Sequence, residues 1–232
     1  MAIALHHGST FWRFRLAFPS SSQSLPIVKV IELRKNFMVV AVDYRNALLD
    51  EYHIKFCQLI ERNTSPQTHS AQAELRGMLK SLTKRLTHQV EDINPEQAPR
   101  KMLRFCDQYE LFLLDREPYD HSLLPHDHGR AWGMACVISG ALKETTYQQV
   151  DSTLVPDSQC VYTPGDVVLL HEGLIHVDSN PTPQRSVSLN LFVPCIVGMK
   201  VYVQQEKRVY VVKPGSRPLS PQIEDVVEWQ GL

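Results

Sequence analysis

The sequence predicts a mainly β protein, an antiparallel sheet of many short strands folded into a sandwich or barrel and preceded by a helical N-terminal extension. Three observations predict it. After Cys106 the chain runs as short apolar segments separated by turn residues: Leu111 to Leu114, Gly133 to Ile138, Leu142 to Val150, Val167 to Leu170, Ser186 to Val193, Lys200 to Val203 and Val209 to Val212. Such spacing is the signature of short antiparallel strands. Before Cys106, apolar residues recur every three or four positions, as on amphipathic helices. Within the β texture lies His126-Asp127-His128, followed by the apolar run Met134 to Ile138 and a turn at Gly140.

Taken in order, residues 1–31 contain no acid and carry Arg13, Arg15, Lys29 and the cluster Ser20-Ser21-Ser22. That composition suits an organellar targeting segment, and equally an untranslated stretch upstream of a later start such as Met38. Residues 1–37 are therefore set apart from the fold. Residues 38–100 form the helical extension. Ala47, Leu48, Tyr52, Phe56, Leu59 and Ile60 mark a helix from Asp43 to about Glu61, stopped by Asn63-Thr64-Ser65-Pro66. Leu75, Met78, Leu79, Leu82 and Leu86 mark a second from Ala71 to Val90, and Asn94-Pro95-Glu96 offers a cap and first turn for a short third. Both long helices read as packing elements. Residues 101–232 form the β domain.

Composition bounds the function. The 232 residues are 43% hydrophobic and 21% charged, with a net charge of -1, as in an ordinary globular protein. This balance gives no reason to expect nucleic acid or an anionic membrane as partner. No apolar run reaches the roughly 20 residues of a membrane-spanning helix. The five cysteines are odd in number, scattered and free of Cys-x-x-Cys, which points to free thiols in a reducing, cytoplasmic setting. Cys136 and Cys160 read as buried small hydrophobes.

On a strand, residues two apart share a face, so His126 and His128 present both imidazoles to one side while Asp127 points to the other. Two nitrogen donors on one face, with His176 as third, make a candidate metal site. His121 and His171, five residues ahead of His126 and His176, read as loop or supporting groups. His6, His7, His53, His69 and His88 read as surface residues.

The two histidine regions resemble the paired motifs of the cupin superfamily. His126-x-His128-x4-Gly133-x6-Gly140 is similar to the first, with Gly133 in place of a glutamate ligand and Asp120 in place of the leading glycine. Gly165-x5-His171-x-Gly173-x2-His176-x3-Asn180 is similar to the second, with His171 in place of proline. The resemblance implies a cupin jelly-roll barrel. Within that superfamily, Pro125-His126-Asp127-His128, then Gly140-Ala141-Leu142-Lys143-Glu144-Thr145 and Ser188-Leu189-Asn190-Leu191-Phe192-Val193-Pro194, resemble segments of the cysteine dioxygenases over roughly Arg100 to Met199.

That family implies iron(II), Fe(2+), held by His126, His128 and His176, and oxidation of a small thiol by O2 to a sulfinate. It also implies substrate-binding roles for Arg100, Ser188, Asn190 and Phe192. Arg104 and Arg130 compete with Arg100 for a substrate carboxylate, a group that a guanidinium grips through two parallel hydrogen bonds. Trp132 and Phe192 could wall the metal. The departures bear on chemistry: Gly133 and Phe192 stand where the animal enzymes carry a crosslinked cysteine and tyrosine, and Asn190 where they carry a histidine. Asn190 and Phe192 cannot exchange protons near neutral pH, and a tyrosine distant in sequence, such as Tyr147 or Tyr162, is a candidate to take over from Phe192. Two other functions compete with thiol oxidation: a non-catalytic metal-binding cupin that senses or binds a ligand, and a hydrolase or isomerase using zinc or manganese as a Lewis acid.

Overall fold

The structure, a computed structural model, describes residues 44–63, 68–86, 100–215, 218 and 225–232, together with the backbone of two short segments near the N-terminus. Those segments, β1 (His7–Gly8) and β2 (Phe11–Trp12), pair antiparallel. By compactness the chain divides into Met1–Leu48 and Leu49–Leu232, a boundary inside the first helix, where the sequence suggests boundaries at 37 and 100. The rest of residues 1–37 and the third helix expected at Asn94 lie outside the described residues.

Helix α1 spans Tyr44–Arg62 and α2 spans His69–Leu86, each within two residues of its expected start. The apolar stripe of α2 is Ala71, Leu75, Leu79, Leu82 and Leu86, all buried at intervals of three and four, and the helix lies on the strands Trp132–Ser139 and Ser186–Val193. Tyr52, Phe56 and Leu59 form the buried side of α1. Packing rather than propensity keeps such helices in place.

Eleven strands follow: β3 (Arg100–Phe105), β4 (Glu110–Arg116), β5 (Trp132–Ser139), β6 (Leu142–Val150), β7 (Thr153–Tyr162), β8 (Val167–Leu170), β9 (Ile175–Ser179), β10 (Ser186–Val193), β11 (Lys200–Val203), β12 (Arg208–Val212) and β13 (Val226–Gly231). One sheet has the order β3-β4-β10-β5-β8, and two three-stranded groups run β7-β6-β9 and β11-β12-β13. The groups are joined by residue 126, which bridges His176 of β9 on one side and Val201 of β11 on the other. All pairings between the named strands are antiparallel. The result is a mainly β double sheet with two N-terminal helices. Ala135, Val137, Leu142, Leu170, Phe192 and Val201 are among the residues that fill the interior.

The expected strand through His126 into Met134 is in fact two pieces. Gly129 adopts φ +64 and bridges Val197, and a Cβ there would lie 2.2 Å from the Val197 carbonyl oxygen. Only glycine tolerates both the left-handed backbone and that approach. The chain turns at this point, so residue 126 pairs with the groups that hold β9 and β11, and β5 lies in the five-stranded sheet. Cys136 is buried as expected, but Cys160 is exposed, because it lies on β7, a strand whose residues mostly face solvent.

Leu79 of α2 has no solvent exposure. Leu79→Ala should lower the unfolding free energy by about 2–5 kcal/mol, read by denaturant titration; a change below about 0.5 kcal/mol would mean that α2 is not part of the core.

Candidate metal centre

The backbone brings the histidines together before any side chain acts. His126 N donates to His176 O at 3.0 Å and His176 N donates to His126 O at 2.9 Å. Residues paired this way in an antiparallel ladder project their side chains to the same face. His128 adds the third ring from the turn beyond. Ring centroids are 5.2 Å apart for His126 and His128, 4.7 Å for His126 and His176, and 5.0 Å for His128 and His176. One ligand atom from each lies within 4.8 Å of the others. Asp127 points away, as alternation predicts. Its carboxylate accepts from Gly129 N at 2.9 Å, Lys200 N at 3.0 Å and the Tyr202 hydroxyl at 3.3 Å, which pins the turn.

Hydrogen bonds set which nitrogens are available. His126 Nδ1 meets Leu124 O at 2.8 Å, so that nitrogen carries the proton and Nε2 keeps its lone pair. His176 Nδ1 meets Glu144 Oε1 at 3.1 Å and lies 3.5 Å from Asp178 Oδ1. Glu144 and Asp178 are directly opposite across β6 and β9, and Asp178 is two residues from His176, so all three face inward. His176 Nε2 and His128 Nδ1 are buried without a partner. Such orphaned nitrogens are costly unless something binds them, and neutral imidazoles around them suit a divalent first-row metal.

Burial holds the His126 imidazole down to about 3, with His176 adding to the effect. Burial likewise pulls His128 well below the ordinary range, followed by His176 and His126. At His176 burial works in the same direction, but Asp178 and Glu144 outweigh it and the net shift is upward.

Glu144, His176 and Asp178 form a second set of donors within 4.8 Å. The three-histidine set is the better ligand shell, because the carboxylates are already engaged. Glu144 orients His176, and Asp178 Oδ2 accepts from Arg116 Nη2 at 2.7 Å. Arg116 is 2% exposed and also donates through Nη1 to Ser188 Oγ at 3.2 Å, which in turn accepts from Asn190 Nδ2 at 3.0 Å. A buried polar chain thus runs Asp178, Arg116, Ser188, Asn190. At Asp178 burial opposes ionisation, yet His176 and Arg116 prevail and hold the carboxyl below its usual range.

A cavity opens beside the triad, lined by Arg100, Phe112, His126, His128, Asn190 and Phe192 among others. The centres of water-sized spheres fill about 60 Å³ of it. One water needs roughly 10–15 Å³ on that measure, so there is room for a few waters or one small organic molecule. Arg100 opens β3, with its guanidinium 4.0 Å from the Phe112 ring centroid; Phe112 stacks on Phe192 at 5.9 Å, and Phe192 reaches His128 at 4.4 Å. Arg100 Nη2 donates to Glu110 Oε1 at 3.0 Å and its Nε has no partner.

Of the other candidates, Ser188 stands behind Asn190 in the polar chain. Arg104 pairs with Asp50, and Arg130, His121 and His171 are exposed. Trp132 is buried in β5 but does not line the cavity, and no tyrosine is among the described residues that do. Tyr162 approaches Glu144 Oε2 at 3.5 Å instead. Gly133 and Phe192, paired across β5 and β10, are in close contact. A Cβ at Gly133 would lie 2.5 Å from Phe192 Cδ1 and 2.7 Å from Leu191 O. The phenyl ring takes the space that a larger residue at 133 would need. Sequence reading missed Arg116, Glu144 and Asp178.

No protein-family model matches the chain. Among solved structures, it is similar to an oxalate oxidase in complex with glycolate at 22% identity, TM-score 0.33, over 39% of this chain and 44% of that one. A protein with a double-stranded β-helix domain from Klebsiella pneumoniae is 18% identical, TM-score 0.35, over 47% of this chain and 89% of that one. The cupin domain of Schizosaccharomyces pombe Cnp3 is 9% identical, TM-score 0.37, over 45% and 66%. The chain spans less than half the length of the oxalate oxidase it matches.

Alanine at His126, His128 or His176 should each lower metal affinity by more than about 100-fold, and Glu144→Ala by about 10- to 100-fold as a supporting group. His121→Ala and His171→Ala should leave it unchanged. Calorimetric titration with a divalent metal decides; full affinity in His176→Ala would remove the assignment. Gly133→Ala should cost about 1–3 kcal/mol through overpacking, read as a lowered denaturant midpoint.

Proposed function

We propose that the triad holds iron(II) and that the protein is a thiol dioxygenase, oxidising a small thiol such as a thiol carboxylate to a sulfinate with O2. The observation that carries this reading is Arg100 facing the same cavity as His126 and His128, with one guanidinium nitrogen unpartnered. A cation that grips a carboxylate would then stand beside a ligand set containing no carboxylate of its own. Iron(II), when bound, supplies the redox chemistry that adds both oxygen atoms to sulfur.

The chain's own residues bind and orient. Arg100 pairs the substrate carboxylate, with Glu110 and the Phe112 face limiting its rotation. Phe112 and Phe192 keep that side of the cavity apolar and exclude water. Glu144 holds His176 in one tautomer, and the chain from Asp178 to Asn190 fixes the Asn190 amide without moving a proton.

Asn190 and Phe192 also favour a second reading, a metal-binding module without turnover, since neither side chain titrates near neutral pH. Oxygen uptake by anaerobically iron-loaded protein separates the two. Thiol dioxygenation predicts uptake with a small thiol carboxylate, one O2 per sulfinate formed. Arg100→Gln should raise KM for that substrate by about 10- to 100-fold, the loss of one charged hydrogen bond of about 1.5–3 kcal/mol, and leave a thiol lacking the carboxylate unaffected. Absence of uptake across a panel of small thiols, together with tight iron binding, would establish the binding module.

A further inference from the structure

Outside the barrel interior, His53, Cys57 and Cys106 place one donor atom each within 4.8 Å of one another. His53 and Cys57 are four residues apart on α1 and so share a face. Cys106 follows β3, in the turn to β4. From this arrangement we infer a second metal site, a thiolate-rich site for zinc that staples α1 to the β3–β4 hairpin.

Zinc takes Cys sulfur at about 2.3 Å and His nitrogen at about 2.0–2.1 Å in tetrahedral geometry, which sets S···N near roughly 3.6 Å and S···S near roughly 3.8 Å. Cys57 Sγ lies 3.6 Å from His53 Nδ1 and 3.9 Å from Nε2. The set therefore needs to contract by no more than about 1 Å to reach that geometry. Tyr109, on the same hairpin, has its hydroxyl 2.8 Å from His53 Nδ1, and its ring packs on Phe56 at 5.5 Å. This hydroxyl does for His53 what carboxylates do for zinc-binding histidines: it engages Nδ1 and leaves Nε2 as the donor. The Tyr109 phenol oxygen accepts the Nδ1 hydrogen bond. His53 is thus half-buried and oriented, where the sequence suggests a surface histidine.

Cys195 is not counted as a ligand, because its thiol donates to the Cys106 carbonyl at 2.9 Å and steadies the turn. Three protein donors leave the fourth position to water. Binding displaces the Cys57 and Cys106 protons to solvent, and no oxidant or reductant is involved.

Cobalt(II) titration of the reduced full chain tests the site, because the barrel triad contains only imidazoles and gives no thiolate-to-cobalt charge-transfer band. Two equivalents, enough to fill the triad as well, should produce that band in the near ultraviolet with tetrahedral ligand-field bands in the visible, and zinc should displace both. Cys106→Ser and Cys57→Ser, one on each element, should each weaken binding by more than tenfold, while His176→Ala keeps the band. Zinc should raise the melting temperature of His176→Ala but not of the double variant His176→Ala, Cys57→Ser. Absence of a thiolate band in reduced wild type, or a band that survives either serine variant, overturns the site.

Discussion

Much of this molecule depends on one pair of hydrogen bonds, the reciprocal backbone exchange between His126 and His176. Residue 126 is the link between β9 and β11, so the same two bonds close the second sheet and set two imidazoles side by side. Ligand geometry is thereby a property of sheet pairing and not of flexible side chains alone. Tyr202 N to Pro125 O at 2.8 Å and Asp127 N to Lys200 O at 3.0 Å hold the other edge of the link. Asp127 turns outward and fastens the loop that carries His128. The left-handed Gly129 then sends the chain across to β5, where Gly133 makes room for Phe192.

The charges around the triad follow from the same register. With glycine at 133, no carboxylate enters from β5. Negative charge instead sits behind His176, on Glu144 and Asp178, where it strengthens the imidazole as a donor without occupying a metal position. Asp178 is itself paired with Arg116, so the interior carries ions in hydrogen-bonded partnership, as burial requires. The consequence is a metal position bounded by histidines on one side and by an apolar wall of Phe112 and Phe192 on the other. Arg100 is the cation at its rim.

The parts legible in the sequence are those with local patterns. Leu142–Val150, Val167–Leu170, Ser186–Val193 and Lys200–Val203 are strands within the bounds that their apolar runs suggest, and the stripe of α2 is readable from its spacing. The approach of His126, His128 and His176 also follows from motif spacing. Strands β7 and β9 escape because solvent covers one and polar residues such as His176 and Asp178 make up the inward side of the other. Arg116, Glu144 and Asp178 carry no local signal at all. Each gains its role from cross-strand register, which links residues far apart in the chain. Cys106 is similar: the His53-Cys57 pair is visible on a helix, but its partner arrives only with the β3–β4 turn.

The central claim, that the paired residues His126 and His176 together with His128 from the turn beyond are the protein's ligands to a metal, is tested most directly by X-ray absorption of the iron(II)-loaded, reduced protein. Multiple scattering from imidazole rings counts them. The account predicts three imidazoles and no protein carboxylate, unchanged in Asp178→Asn. Two imidazoles, or a carboxylate oxygen whose signal disappears in Asp178→Asn or Glu144→Gln, would contradict it.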